Sequence, residues 1–275
     1  MTYETIRISV DGPVATVSLN RPDKLNAINE KMLHELENVL DSLEKSDQVM
    51  AIVLHGNGRS FCAGFDLKAS VDKGRRDEEQ WRTALEYDLA VIMKFWHCEK
   101  PTVAAVHGYA LAAGFELALA CDMTVCGKNA LFGEPEVRFG SSIVALLVPW
   151  YVNPKRAKKM LLTGQDRMTA EEALNCGIVN EVVPDAQVLS RAADLAREVA
   201  GMDPESVRLT KKAINQSYHI MGMEQALNAG LEASIEIETT ETALRREFNR
   251  ILRELGFKAA LKWREERLGK SGTSA

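Results

Sequence analysis

Two glutamates and two stretches of small residues carry most of the chemistry open to this sequence. Glu116 lies in Phe115-Glu116-Leu117-Ala118-Leu119-Ala120, and Glu136 closes Phe132-Gly133-Glu134-Pro135-Glu136. A carboxylate in apolar surroundings must be paired or raised in pKa, and two of them can divide acid and base work. The residues leave a second reading open for each: a helix-dipole partner at Glu116 and a solvated loop acid at Glu136. The small-residue stretches are Ser60-Phe61-Cys62-Ala63-Gly64-Phe65-Asp66-Leu67-Lys68 and Gly108 through Glu116. Backbone can approach a ligand closely at such places, and a helix N-terminus presents unpaired N–H groups to negative charge. Two N–H groups aimed at one point form an oxyanion hole. Tight strand-to-helix packing is the competing explanation of the same small residues. His34, His55, His97, His107 and His219 are dispersed and lack HExxH spacing, so no metal site is expected. His107, beside Gly108, is expected to support the turn.

The elements that must hold these residues follow from periodicity. Ile6, Ile8 and Val10, then Val14, Val17 and Leu19, read as two strands turning at Asp11-Gly12. From Ile28 the period becomes helical, with Met32, Leu36, Val39, Leu40 and Leu43 on one stripe. Val49–Leu54 reads as a strand covered on both faces. Residues 71–79 have no core pattern and read as a surface loop; Trp81 to Trp96 mark a long helix. Thr102–Val106 is a strand, a helix starts near Ala113 and runs to Cys121, and Met123–Cys126 is a strand again. This order belongs to an α/β fold with parallel pairing. Beyond Phe139 helices dominate: 154–162, a capping box at Thr169-Ala170-Glu171-Glu172, 188–200, Asp203-Pro204 as a helix start, and two long helices over 222–268.

Composition narrows the classes. The 275 residues are 46% hydrophobic and 27% charged, which suits a sizeable core and argues against disorder. Net charge is −5 and the pI about 5.7, which gives no electrostatic basis for binding nucleic acid or an anionic membrane. Glu4, Arg7 and Asp11 interrupt residues 1–20, so neither a signal peptide nor a membrane span is expected there. The five cysteines have no CxxC pair and fit reduced thiols in a cytoplasmic protein.

With AGFD at 63–66, HGYALAAGFELALACD at 107–122 and FGEPEVRFG at 132–140, the chain resembles the crotonase, or enoyl-CoA hydratase/isomerase, superfamily. The likeness runs from RPDKLNAIN at 21–29 to the last helix around Trp263. It implies a spiral of ββα units over residues 1–200 and a helical oligomerisation region over 201–275 that assembles trimers or dimers of trimers. It places the oxyanion-hole amides on Phe65 and Ala113, where many members have Gly at the second position. It makes Glu116 the base that orients and deprotonates water, and Glu136 the acid that protonates the α-carbon. Isomerases usually keep only the second acid, so the pair favours hydration of a 2-enoyl-CoA over isomerase, hydrolase or decarboxylase chemistry. The coenzyme A part of that substrate is expected at Lys24, Leu25, Ala27, Ala63, Asp66, Leu67 and Gly140, with no separate cofactor. Asp122 matches a family acid and is read as structural. Some members bind RNA through a lysine-lined helix, but the matching residues 29–37 are acid-rich here. One departure stands out: many hydratases have a Gly-rich stretch after the second acid, whereas 141–150 is bulky and apolar.

Overall fold

The computed structural model describes residues 3–72, 77–240 and 242–269. A hairpin opens the chain: β1 (Ile6–Asp11) pairs antiparallel with β2 (Val14–Leu19) across the turn at Gly12. α1 (Glu30–Glu44) follows, its N-terminus capped by the Asn29 side chain, which accepts from the Met32 N–H at 3.0 Å. Next come β3 (Ala51–Gly56), α2 (Leu67–Asp72) and α3 (Glu78–His97). The unit β4 (Thr102–Val106), β5 (Tyr109–Leu111) and α4 (Ala113–Ala120) is then echoed by β6 (Met123–Gly127), β7 (Leu131–Gly133), α5 (Val148–Tyr151) and α6 (Pro154–Thr163). β8 (Met168–Thr169), α7 (Ala170–Asn175), β9 (Glu181–Val183) and α8 (Val188–Ala200) complete the α/β part. Four helices end the described chain: α9 (Pro204–Ile220), α10 (Met223–Thr239), α11 (Ala243–Leu255) and α12 (Phe257–Arg267).

The units β4–β5 and β6–β7 each give their first strand to one sheet and their second to another. The larger sheet runs β1-β2-β3-β4-β6-β9, parallel beyond the hairpin, and the smaller runs β5-β7-β8. A bridge from Cys62 to Ala110 adds the first turn to the smaller layer. Burial on both faces explains the nearly unbroken apolar strands. Val14, Ala51, Val53, Val103, Ala105 and Val125 pack under Val188, Ala192 and Ala196 of α8. The alternate residues, among them Ile52, Leu54, Ala104 and Val106, face the core built with α1, α3 and α4.

Two expectations about elements are corrected. Residues 71–79 do not form one loop: 71–72 end α2, 73–76 lie outside the described residues, and Asp77 caps α3. Asp77 and Gln80 form a reciprocal capping box, which starts the helix a turn before its apolar stripe. The region 222–268 holds three helices rather than two, because the chain breaks at Thr240 and again at Gly256, whose φ is +84°. Ile235 is buried within the chain, while Ile237 stays exposed.

Candidate active site

The two small-residue stretches lie side by side. Phe61 and Cys62 donate their N–H groups to the carbonyls of His107 and Tyr109 at 2.8 and 2.9 Å, and Leu111 N–H returns to Cys62 O at 3.0 Å. Any side chain at Gly114 would run into the Cys62 carbonyl. Gly64 has φ +89°, and a Cβ there would lie 2.5 Å from Ala112 Cβ and 3.5 Å from Ala113 N. Ala112 itself takes φ 55°, uncommon for an alanine. Its N–H donates to Gly133 O at 2.8 Å, and its carbonyl accepts from Phe115 and Glu116 at 2.7 and 3.0 Å. Ala113 thereby becomes the first residue of α4, whose N–H has no acceptor within the helix. Among the described residues neither the Ala113 nor the Phe65 N–H has a hydrogen-bond acceptor, and both residues line one large cleft. The two residues expected to supply oxyanion-hole amides thus both border the cleft with their N–H groups unused. His107, just before Gly108, has its Nε2 2.9 Å from Gly58 O and its ring stacked on His55.

The cleft, about 2280 Å³, is also lined by Lys24, Leu25, Ala27, Ala63, Asp66 and Leu67. Asn26, which the sequence reading passed over, organises this rim. Its Nδ2 donates to the carbonyls of Asn57, Ser60 and Phe61 at 2.9, 2.8 and 3.1 Å. Leu25 and Asn26 are thereby held at φ 50° and 55°. Asp66 is already engaged, pairing with Arg21 at 2.9 Å and accepting from Ala69 N–H at 3.2 Å, so its carboxylate builds the wall. Lys24 is exposed at the mouth with Arg59 and Lys68 nearby along the lining. Gly140 is not brought to the cleft; it packs beneath Arg245 and Thr242.

The same cleft is lined by two buried acids. Glu116, in the first turn of α4, is 1% exposed; its Oε1 accepts from Ala145 N–H at 2.8 Å, and its Oε2 has no partner among the described residues. Glu136 opens a 3-10 turn, Glu136–Arg138, and is buried with an unpartnered Oε2. Both line the cleft. Burial pushes Glu136 up to about 8, against its own N–H and the neighbouring Glu134 carboxyl, which favour its charge. Burial, and then the charge of Glu136, raise Glu116 well above the usual carboxylate range despite the Ala145 and Val144 N–H groups. Proton transfer near neutral pH needs acids tuned in this way. A third acid, Glu134, is fully buried behind them and was not singled out from sequence.

The segment after Gly140 brings a main-chain N–H to Glu116 without using glycine. Val144, Ala145, Leu147 and Val148 turn inward and are buried, leaving the main chain at Ala145 to hold Glu116. Ser142 N–H and Oγ donate to Glu238 at 3.0 and 3.2 Å, and Ile143 O accepts from Ser234. The roof comes from further along the chain. Phe139 and Phe248 rings lie 5.1 Å apart, Arg264 sits 4.7 Å over Phe139, and Arg245 pairs with Glu238 and lies 5.7 Å over Trp81. All of these line the cleft, as does Lys262 of α12. Sequence periodicity marked the helices but carried no signal that they return to this site.

Known proteins resemble this chain over most of its length. The family model described as enoyl-CoA hydratase/isomerase matches residues 10–247. The short-chain-enoyl-CoA hydratase of Clostridium acetobutylicum is 32% identical over 251 residues, covering 88% of this chain and 92% of that protein. The carnitinyl-CoA dehydratase of Proteus mirabilis is 34% identical, covering 79% of this chain and 86% of that one. A crystal structure of an enoyl-CoA hydratase/isomerase from Xanthobacter autotrophicus Py2 superposes with a TM-score of 0.95 at 41% identity, covering 97% of this chain and 99% of that one.

Proposed function

We propose that this chain, which belongs to the enoyl-CoA hydratase/isomerase family, is an enoyl-CoA hydratase adding water across the 2,3 double bond of a 2-enoyl-CoA. The observation that carries this reading is the pairing, across one cleft, of two undonated amides with two buried acids that each keep an oxygen free. The thioester oxygen sits between the Phe65 and Ala113 N–H groups. Water on Glu116 Oε2 attacks the β-carbon and gives that carboxylate its proton. Electrons of the double bond move onto the thioester oxygen, and the amides stabilise this enolate-like state more than the ground state. Glu136 then places its proton on the α-carbon. One water is consumed, no electrons change hands between molecules, and the negative charge passes from Glu116 to Glu136. The cycle closes when the two carboxyls re-equilibrate their protons.

The rim at Lys24, Leu25, Ala27, Ala63 and Leu67 suits the coenzyme A moiety, with Lys24 as a point charge for its phosphates. Arg59 and Lys68 add positive charge to the same lining. We assign the enzyme to cytoplasmic fatty acid metabolism, as a homotrimer or dimer of trimers. Leu209, Ile214 and Ile220 are exposed on α9 and suit such an assembly, and no described helix is long and apolar enough to cross a membrane.

The test is a panel of enoyl-CoA esters, with loss of the conjugated-thioester absorbance as readout and chromatography of the products. A 3-hydroxyacyl-CoA product supports hydration. Release of free coenzyme A, or a shifted double bond without added water, contradicts it.

A further inference from the structure

Glu134 is a buried carboxyl that the hydration mechanism leaves unused. It is the most enclosed of the three acids, with 0% exposure, and it stands behind the cleft wall formed by Pro135 and Glu136. Its backbone is pinned on both sides. Its N–H donates to Gln165 O at 2.9 Å, and the Gly133 carbonyl before it accepts from Ala112 N–H at 2.8 Å. Among the described residues neither of its Oε atoms has a hydrogen-bond partner, and the group that bears on it most strongly is the carboxyl of Glu136, two residues along the same loop.

Two neighbouring carboxyls in a buried site cannot both ionise, so one of them keeps its proton throughout. The surroundings decide which one keeps it. Glu136 gives up its proton the more readily, helped by its own backbone N–H and by opening on the cleft; Glu134 has neither advantage. The charged groups acting on Glu134 are both acids, Glu136 on its own loop and Glu116 on α4, and Asp88 on α3 adds its negative charge at Glu116. Arg138, the next cation along the loop, is held by Asp166 at 2.8 Å and donates to Thr163 O.

We propose that Glu134 is a positioning residue: a carboxylic acid that keeps its proton and donates it as a hydrogen bond to one oxygen of Glu136, turning the other toward the reacting α-carbon. This rests on Glu136 being the proton donor to that carbon. No proton leaves Glu134. When Glu136 passes its own proton to carbon, the new carboxylate goes on accepting from the Glu134 O–H, now as a charge-assisted bond. That bond is stronger after transfer than before, so it favours the proton's departure.

The test uses the whole protein with Glu134→Gln, which keeps a donor of similar shape but cannot titrate, and Glu134→Leu, which removes the donor. Infrared difference spectra at pH 7, wild type minus Glu134→Gln, should show the C=O stretch of a protonated carboxyl. Its absence overturns the proposal, and this readout needs no substrate. In enoyl-CoA hydration, Glu134→Leu should lose about 10- to 100-fold in kcat with KM within about twofold, and Glu134→Gln should recover kcat to within about threefold of wild type. The alkaline limb of the kcat profile should move to higher pH in the Leu variant only, because Glu136 has lost the donor that steadied its carboxylate. A packing defect would lower kcat without moving that limb. A Leu variant with wild-type kcat and limb, or a Gln variant as slow as Leu, contradicts the proposal. Should Glu134→Leu fail to fold, the infrared band and the Gln variant decide it. Should the wild type hydrate no enoyl-CoA, the reading of Glu136 fails while the infrared band still reports on Glu134.

Discussion

The molecule holds carboxylates in two contrasting ways. At the far end of α4, Asp122 accepts from Thr102 N–H at 2.7 Å, from Thr102 Oγ1 at 3.0 Å and from Lys211 Nζ at 2.7 Å. Lys211 also reaches Lys100 O at 3.1 Å, so α9 is tied to the start of β4. At the near end, Glu116 and Glu136 line the cleft with Glu134 beside them, and four of the six carboxyl oxygens have no partner among the described residues. The first arrangement satisfies charge and holds the chain together; the second leaves acids under-solvated and ready to exchange protons. Glu35 is buried and yet fully partnered by the Glu4 and Thr5 N–H groups and the Thr5 hydroxyl, so burial alone does not mark a reacting acid. Burial together with missing partners does.

The contrast can be broken from either side. The largest effect should come from Glu116→Gln and Glu136→Gln, each lowering enoyl-CoA turnover by about 10²- to 10⁴-fold. Thermal melts should show no loss of stability, since neither variant removes a buried ion pair. Asp122→Ala should do the reverse. It strands buried Lys211 and should cost about 3–5 kcal/mol in denaturant unfolding, with kcat little changed. Gly64→Ala attacks the amide wall: its Cβ meets Ala112 Cβ at 2.5 Å and Leu111 O at 3.0 Å. Displacing one donor should cost about 10²- to 10³-fold in kcat, with the acids intact.

The smallest effect is on the pH dependence of stability. In the fold Glu136 keeps its proton up to about pH 8, whereas an ordinary glutamate in the unfolded chain loses it near 4.5. Between those values the folded state binds the extra proton, so its stability falls as pH rises through that window and levels off above it. Glu35 has the opposite sign. Burial opposes its charge, but the Glu4 and Thr5 N–H groups and the Thr5 hydroxyl outweigh burial and hold it below the usual range. Its contribution is present above the ordinary glutamate value and fades as pH falls below it. Unfolding curves from pH 5 to 8 should therefore flatten in Glu136→Gln relative to wild type, and Glu35→Gln should leave that slope in place.

The same contrast explains what could be read in advance. Long elements with a strong period were legible: the β1–β2 hairpin, α1, β4 and α4 lie close to where their patterns put them. β5, β7 and β8 are two or three residues long, too short for any period to show. Phe65, Ala113, Glu116 and Glu136 converge on one cleft as the family likeness implies. Gly140 does not reach it, because its backbone sits against α11 instead. Glu134 was passed over because a glutamate between Gly133 and Pro135 carries no local sign that both its oxygens are enclosed. Arg245 and Arg264 were hidden for a related reason: only the tertiary path of α11 and α12 sets them over the cleft.

The division of labour between the acids is tested most directly by exchange at carbon. A saturated acyl-CoA in deuterated water offers an α-proton but no double bond to hydrate, so only Glu136 and the two amides are needed to exchange it. The wild type and Glu116→Gln should both incorporate deuterium at the α-carbon, while Glu136→Gln should not. Exchange by Glu136→Gln at the wild-type rate, or its loss in Glu116→Gln, would contradict the assignment of these two residues.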